Sequence, residues 1–260
     1  MAGNLTTLDK FNLLRKTIKN WPLVALDKSG MARNCEYKTR SGIKILCRSK
    51  TADINEVVVI MSGLEYPPKY LKIPENGIAI DIGAGIGDST IYIDSLNRSR
   101  NFSGFAFEPF TDNFQLLKKN CQNNNVGQFE LINAAVSDHS GKVKIDTNRE
   151  VDKVAICNNK GTAVPSHKLS LFCQSRSIKE IDLLKMDVEG AEYQILESDY
   201  SFFRRAVKTF LLEYHYISDT LNGNWVYEKV RNDFIIEYIH KDLHSGVIWA
   251  KNKNLSDNSK

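Results

Sequence analysis

The fold is decided by one stretch of the sequence, Ala79-Ile80-Asp81-Ile82-Gly83-Ala84-Gly85-Ile86-Gly87-Asp88-Ser89-Thr90. It predicts a hydrophobic strand that continues through a glycine-rich turn into a helix. Glycines allow a backbone to approach a ligand closely, and the first turn of a helix offers free N–H groups and a positive dipole to an anionic group. The dinucleotide fingerprint G-x-G-x-x-G does not match, because its third glycine position is occupied by Asp88.

Asp81 lies near the end of this strand, two residues before Gly83 of the glycine-rich turn. Its carboxylate would repel a pyrophosphate and would hold an ammonium group, while the helix end would bind a carboxylate. An amino-acid moiety carries both of these groups, whereas a tight turn without any ligand is the alternative interpretation. We therefore predict that the amino-acid part of a cofactor binds at Asp81, Gly83, Ala84, Gly85, Ser89 and Thr90.

Glu108 follows a second predicted strand and lies 27 residues after Asp81. In Rossmann-type folds an acid at an offset of about 20 residues holds a ribose, and the Glu108 carboxylate can accept hydrogen bonds from both ribose hydroxyls. Taken alone, Glu108 would be interpreted as a helix N-cap or a surface acid. An amino-acid site followed by a ribose site indicates S-adenosylmethionine as the cofactor.

Strand-like and helical segments alternate along the rest of the chain. This order predicts a parallel sheet with right-handed crossovers. The predicted strands are Ile78–Ile82, Phe102–Phe107, Phe129–Ala134, Lys142–Asp146, Leu183–Met186, Val207–Tyr214, Phe234–Ile239 and Val247–Ala250. Helices are predicted at Ser89–Leu96 and Thr111–Gln122, and Val151–His167 is predicted to be a long loop.

Residues 1–74 are predicted to form a small N-terminal cap, residues 75–251 the main domain, and residues 252–260 a frayed tail. In the cap, Thr6 and Asp9 have the spacing of a capping box at the start of an amphipathic helix that Pro22 ends or bends. Tyr37–Arg48 predicts two short strands, and periodicity does not decide the type of Ile54–Met61.

The composition, with 42% apolar and 25% charged residues, is that of a folded, water-soluble protein and excludes disordered, collagen-like and fibrous classes. The net charge of +4 neither requires nor excludes a polyanionic partner. Five cysteines at irregular spacings predict reduced thiols in a reducing compartment. Charged residues interrupt the first twenty positions, and no apolar run is long enough for a membrane span, so we expect a cytoplasmic protein without membrane contact.

Acids and a histidine follow two later strands of the predicted sheet. Asp187 and Glu189 come after Leu183–Met186, and His215 comes after Val207–Tyr214. Because open parallel sheets bind ligands at the carboxyl ends of their strands, we expect these three side chains to lie beside the glycine-rich turn. His215 is the side chain whose unperturbed pKa is near neutral pH.

Five blocks of the chain, in this order and at this spacing, resemble the FkbM-type methyltransferases: 81–87, 107–109, 133–138, 185–192 and 212–215. The resemblance covers about residues 65 to 250. It implies an α/β, Rossmann-like class I methyltransferase with a mostly parallel, seven-stranded sheet flanked by helices. It also implies S-adenosylmethionine as the cofactor and transfer of its methyl group to a hydroxyl of a small molecule or sugar.

The same resemblance implies further cofactor contacts. It adds Pro109 after the ribose acid and places Ala135, Val136 and Asp138 near the adenine, with Asp138 as a candidate partner of the adenine amino group. The family usually has Asn or His at the position of Gly85, so any side-chain contact made there is absent from this chain.

The catalytic candidates are Asp187, Glu189 and His215. His215 or Glu189 is expected to take the proton of the acceptor hydroxyl, and Asp187 to lie against the methionine portion of the cofactor. The Pro-containing motif of amine methyltransferases is absent after Asp187, and no cysteine nucleophile follows Cys173, so oxygen is the expected acceptor. A metal site of Asp187, Glu213 and His215 is an alternative, but no compact ligand motif appears and no metal is predicted.

Two other functions are compatible with these residues. The acceptor could be RNA or protein, although the basic clusters fall on predicted helix faces or loops and no RNA-binding module is present, so nucleic acid is not expected. The chain could also be a binding module without catalysis, which the acids at positions 81, 108 and 187 argue against. Acceptor specificity is expected to reside in the cap, in Val151–His167 and in Ser218–Trp225. The sequence specifies neither the acceptor nor the oligomeric state.

Overall fold

The computed structural model describes residues 6–31, 34–146, 156–157, 161–241 and 245–255. The N-terminal elements are α1 (Thr7–Thr17), α2 (Leu23–Ser29), β1 (Asn34–Lys38), β2 (Lys44–Arg48) and α3 (Asp53–Met61). Helix α1 begins with the predicted capping box, in which Thr6 and Asp9 each accept a hydrogen bond from the other's backbone N–H. Strands β1 and β2 form the predicted antiparallel pair. The segment that periodicity left undecided is the helix α3, which is buried on most of its surface.

The remaining elements follow in chain order. The strands are β3 (Gly77–Ile82), β4 (Phe102–Phe107), β5 (Phe129–Ile132), β6 (Ala135–Val136), β7 (Gly141–Ile145), β8 (Ile156–Cys157), β9 (Thr162–His167), β10 (Ile181–Met186), β11 (Val207–His215), β12 (Phe234–Lys241) and β13 (Ser245–Asn252). The helices are α4 (Asp88–Asn97), α5 (Thr111–Asn123), α6 (Leu169–Ser175), α7 (Glu192–Ala206) and α8 (Gly223–Val230).

The main sheet has seven strands in the order β12-β13-β11-β10-β3-β4-β5. Every neighbouring pair from β11 to β5 is parallel, and β13 is antiparallel to both β11 and β12. The predicted mostly parallel, seven-stranded sheet is therefore confirmed. Because β3 and β10 are central neighbours, the glycine-rich turn and the acids after β10 emerge side by side.

A second, smaller sheet has the order β6-β9-β7-β8. The prediction of a long loop over Val151–His167 is therefore wrong for two parts of this segment. Residues 156–157 form β8, and Thr162–His167 forms β9. Val164 of β9 packs against Val143 and Ile145, while the exposed Pro165 obscures the strand pattern in the sequence. Residues 151–155 and 158–160 lie outside the described residues.

Polar side chains of α5 join the N-terminal hairpin to the main sheet layer. The Asn120 amide accepts a hydrogen bond from the Leu46 N–H at 2.8 Å and donates to the Leu46 carbonyl at 3.1 Å. Asn124 bonds in the same way to the Lys44 N–H and carbonyl. The two amides thereby satisfy the open edge of β2 as a neighbouring strand would. One apolar core is continuous from the hairpin through α3 and α4 to α5, and the boundary near residue 75 stays a prediction.

The C-terminal strand extends further than predicted. Asn252, placed by the sequence in the tail, ends β13 as a buried residue and donates hydrogen bonds to the Arg204 and Val207 carbonyls, each at 2.9 Å. Residues 256–260 lie outside the described residues. Cys35, Cys47, Cys121 and Cys173 are buried and free of disulfides. No helix in the described part of the chain is long and apolar enough to cross a membrane.

Candidate active site

A cleft of about 380 Å³ lies at the carboxyl ends of β3, β4, β10 and β11. This is the edge at which open parallel sheets bind ligands. The structure brings most of the predicted site residues into its lining: Gly83, Gly85, Glu108, Pro109, Ala135, Val136, Asp187, Glu189 and His215. These residues lie together because the strands that precede them end at the same edge of the sheet, as the sequence pattern predicts.

Asp81 lies outside the lining of the cleft. Its side chain is fully buried, and the Ser89 and Thr90 hydroxyls donate to its Oδ2 at 2.7 and 2.6 Å. The Lys185 Nζ lies 3.3 Å from its Oδ1. An ammonium group of the protein itself thus lies beside this carboxylate, and direct contact of Asp81 with a ligand ammonium group stays a prediction. Asp81, Ser89 and Thr90 lie behind the wall of the cleft and support it.

Two further predicted contacts are also absent from the lining of the cleft. Ala84 is buried, and its backbone N–H donates to the Phe107 carbonyl at 2.9 Å. The Asp138 carboxylate is about half exposed and lies 2.7 Å from the His139 Nδ1. The structure thus gives Asp138 a neighbouring histidine as partner, and its contact with an adenine stays a prediction.

Glu108 is oriented by backbone groups. Its Oε2 accepts a hydrogen bond from the Gly85 N–H at 2.8 Å, and its Oε1 accepts from the Phe110 N–H at 2.9 Å. Burial raises the pKa of Glu108 to about 7, although these hydrogen bonds act in the opposite direction. Asn113 Nδ2 also donates to Oε1, at 3.5 Å, whereas Oε2 keeps a second lone pair for a hydrogen bond from a ligand hydroxyl in the cleft.

The glycine-rich turn and the segment after β10 are in direct contact. Gly83 has a φ of +79°, and a Cβ at this position would lie 1.7 Å from the Asp187 carbonyl oxygen. The Asp187 N–H donates in turn to the Ile82 carbonyl at 3.0 Å. Only glycine satisfies both the backbone conformation and this approach. The motif therefore has a structural reason that is independent of any ligand.

Lys185 is a residue of the site that sequence reasoning missed. Its side chain is 3% exposed, donates to the Gly83 carbonyl at 2.7 Å, and has Nζ 3.9 Å from the Asp187 Oδ2. Burial by itself lowers the pKa of Lys185, but the charges of Asp81, Asp187 and Asp88 outweigh it and raise the pKa. A lysine within the apolar run Leu183–Met186 is the signal that could have revealed it, because lysine is almost never buried without a partner.

Four carboxylates surround His215 at the other end of the cleft. Its Nε2 lies 3.5 Å from Glu189 Oε2, 3.9 Å from Glu213 Oε1 and 4.0 Å from Asp187 Oδ1, and its Nδ1 lies 3.3 Å from Glu192 Oε1. Burial opposes protonation, but the hydrogen bond to Glu192 and the nearby negative charges raise the pKa of His215 to about 9. These neighbours favour the protonated form of His215, which argues against its predicted role as the base.

Two more acids lie at this end: Glu213, predicted only as a ligand of an alternative metal site, and Glu65, from a segment that the sequence pattern did not connect to the site. Glu65 and Glu213 line the cleft and interact with each other, and burial together with the charge of Asp187 raises the pKa of both carboxyl groups. Glu65 precedes the predicted domain and was not selected as a site residue. Only the tertiary structure brings it next to β10 and β11.

The N-terminal hairpin also contributes to the wall of the cleft. The Arg48 guanidinium makes hydrogen bonds of 2.7 and 3.0 Å to the two carboxylate oxygens of Asp53, and donates to Asn113 Oδ1 at 2.8 Å. Asp88, at the start of α4, lines the cleft nearby, and burial raises its pKa to about 7. The predicted cap is thus part of the site.

The strand order, the glycine-rich turn after β3, the acid after β4 and the acids after β10 define a class I methyltransferase fold. A family model described as the methyltransferase FkbM domain matches residues 81–243, which is more than half of the chain. The chain therefore belongs to the FkbM methyltransferase family. The resemblance seen in the sequence is confirmed.

Solved structures share this fold at low sequence identity. A methyltransferase FkbM from Methylobacillus flagellatus KT has a TM-score of 0.53 and 13% identity, covering 76% of this chain and 53% of that chain. This chain thus spans about half the length of that protein. M. jannaschii TYW2 in complex with AdoMet has a TM-score of 0.48 at 14% identity, covering 84% and 85% of the two chains. A precorrin-6y C5,15-methyltransferase from Geobacter metallireducens GS-15 has a TM-score of 0.46 at 13% identity, covering 71% and 85%. No curated protein sequence matches the chain.

Proposed function

We propose that this protein is an S-adenosylmethionine-dependent O-methyltransferase that methylates a hydroxyl group of a small molecule or sugar. The observation that carries the proposal is a cleft with two chemically different ends. Glu108 and the backbone of the glycine-rich turn form one end, and Asp187, Glu189 and His215 form the other. S-adenosylmethionine supplies a methyl group on a sulfonium, so the protein has to align the acceptor and remove its proton.

The residues of the cleft fit this cofactor. Glu108 Oε2 can accept a hydrogen bond from a ribose hydroxyl, and Val136 offers an apolar surface for the adenine. The Asp187 side chain is about a quarter exposed and faces the cleft, whereas Asp81 is fully buried. Asp187 is therefore the acid that can hold the ammonium group of the cofactor. The ammonium and sulfonium groups of the cofactor both suit the acidic side of the cleft.

The acidic end also limits what the acceptor can be. Glu56, Glu65 and Glu213 line the cleft in addition to the predicted acids. Such a surface repels a phosphate-rich acceptor, which supports a small molecule or sugar and disfavours RNA. Because the neighbouring carboxylates raise the pKa of His215 to about 9, we assign the removal of the acceptor hydroxyl proton to one of these carboxylates.

Calorimetric titration with S-adenosylmethionine and with S-adenosylhomocysteine tests the proposal. In the Glu108→Gln variant we expect at least a tenfold loss of affinity for both, because a charged acceptor of ribose hydrogen bonds is removed. Glu130→Gln is the matched control, since Glu130 lies on β5 and forms an exposed pair with Arg176. If the unaltered protein binds neither compound, the methyltransferase proposal fails.

The acceptor class needs a second experiment. The protein with radiolabelled S-adenosylmethionine is offered separate pools of hydroxylated small molecules, sugars, RNA and protein. We expect label in a small-molecule or sugar pool and its recovery as an alkali-stable methyl ether. Label confined to RNA or protein would refute the proposed acceptor class and leave the cofactor assignment intact.

A further inference from the structure

We infer that Asp187, Glu189 and His215 bind a divalent cation at the acidic end of the cleft. One ligand atom from each of the three residues lies within 4.8 Å of the others. The shortest separations from His215 Nε2 are 3.5 Å to Glu189 and 4.0 Å to Asp187. In an octahedral Mg²⁺ or Mn²⁺ site, neighbouring ligand atoms are about 3 Å apart, because metal–oxygen distances are about 2.1 Å. Closure by roughly 0.5–1 Å between the histidine and each acid, and by up to about 1.8 Å between the two acids, would complete the site and is within reach of side-chain rotation.

The histidine is held in the orientation that a metal ligand requires. Glu192 is completely buried, and its Oε1 accepts a hydrogen bond from the His215 backbone N–H at 2.7 Å and lies 3.3 Å from the imidazole Nδ1. Its Oε2 accepts from the Gly190 N–H at 2.8 Å, so the carboxylate is fixed on both sides. A carboxylate on Nδ1 directs Nε2 toward Asp187 and Glu189. Metal-binding histidines are typically oriented by such a carboxylate.

The balance of charge also favours a cation. Four carboxylates lie within 4.0 Å of the imidazole of His215. The ammonium group of Lys185 is shared between Asp187 and Asp81. One shared ammonium leaves an excess of negative charge, which a divalent cation that replaces the Nε2 proton of His215 would offset. Asp187, Glu189 and His215 are between 18% and 28% exposed, so an ion can reach them from the cleft.

The cation would act on the acceptor. Three protein ligands leave positions open for oxygen atoms of the acceptor, and a bound cation orients a hydroxyl and makes its proton easier to lose. This role rests on the proposed function, whereas the binding of the cation does not. The sequence predicted no metal, because its ligands come from two separate strand ends and not from one compact motif.

Mn²⁺ binding to the chelator-treated protein, followed by the electron paramagnetic resonance signal of the free ion, tests the inference. We expect one saturable site, with affinity reduced at least tenfold in Asp187→Asn and in Glu189→Gln. Glu180→Gln is the matched control, because Glu180 precedes the amino end of β10 and pairs with Lys208. Circular dichroism verifies that each variant is folded.

A spectroscopic readout then identifies the histidine as a ligand. Electron spin-echo modulation from a directly bound nitrogen should appear with Mn²⁺ on the unaltered protein and be lost in His215→Gln. Absence of saturable binding, or equal affinity in Glu189→Gln and Glu180→Gln, would overturn the inference and leave an ion-pair cluster. The titration contains neither cofactor nor acceptor. Binding of S-adenosylmethionine without binding of Mn²⁺ would therefore refute the cation site alone, and the reverse result would refute the proposed function alone.

Discussion

Replacing Lys185 with Met should reduce the free energy of unfolding by about 3–5 kcal/mol, because it leaves a charged carboxylate in the core without its cationic partner. Asp81 has no exposed surface. Its remaining partners would be the hydroxyls of Ser89 and Thr90, which are neutral. Met has an unbranched side chain of similar length, so the substitution removes the charge and changes the packing little.

The magnitude follows from the geometry of the pair. At 3.3 Å, the attraction between the Lys185 ammonium and the Asp81 carboxylate is about 5 kcal/mol for an effective dielectric constant of about 20. The lost hydrogen bond to the Gly83 carbonyl adds about 1 kcal/mol. Because Met carries no charge, the variant no longer has to bury an ammonium group, and this gain offsets part of both losses. The expected net loss is therefore in the range found for breaking buried ion pairs.

Urea unfolding at pH 7 measures the effect. The double variant Asp81→Asn, Lys185→Met should recover most of the lost free energy, because the amide that replaces the carboxylate is neutral and its oxygen can still accept the two hydroxyl hydrogen bonds. Lys208→Met is a matched control: Lys208 pairs with Asp182 on the neighbouring strand at 2.8 Å but lies nearer to solvent, so its loss should cost about 1 kcal/mol. A cost below about 1 kcal/mol for Lys185→Met, or no recovery in the double variant, would refute the reasoning.

Three further predictions concern the turn, its helix and the hairpin. Gly83→Ala should lower the free energy of unfolding by more than about 3 kcal/mol and abolish cofactor binding. Gly85→Ala, where a Cβ has open space, should lower it by only about 1–2 kcal/mol. Urea unfolding measures the stability of both variants, and calorimetry measures their cofactor binding. Burial raises the pKa of Asp88 to about 7 from 3.8, so the folded state binds its proton more tightly and stability falls as pH rises through this window. Between pH 5 and pH 8, the free energy of unfolding should fall by about 3 kcal/mol less in Asp88→Asn than in the unaltered protein. An unchanged pH dependence in the variant would contradict the raised pKa of Asp88. Asn120→Ala should lower the free energy of unfolding by about 2–3 kcal/mol, because it leaves the backbone groups at the edge of β2 unsatisfied.

The strands and the position of the cleft could be predicted because their signals are local. An apolar run followed by glycines and a helical pattern specifies β3 and α4 within a dozen residues. The acids Glu108 and Asp187 each follow a strand, and parallel topology then brings the strand ends together. Val151–His167 was misjudged because β9 pairs with β7, so what stabilises it lies outside its own sequence.

The sequence by itself determined the α/β class, the family and the identity of the acids at the ends of the strands, because these depend on periodicity and on short motifs. Only the tertiary structure decided what those acids do. Folding places Asp81 against Lys185 inside the core and leaves Asp187 facing the cleft, although both lie near the carboxyl end of a central parallel strand. It also surrounds His215 with four carboxylates drawn from two segments of the chain, residues 187–192 and Glu213, which raises its pKa. The physical reason is that burial and the distances between charges are set by contacts between residues far apart in sequence, and a pKa or an ion site follows from those distances.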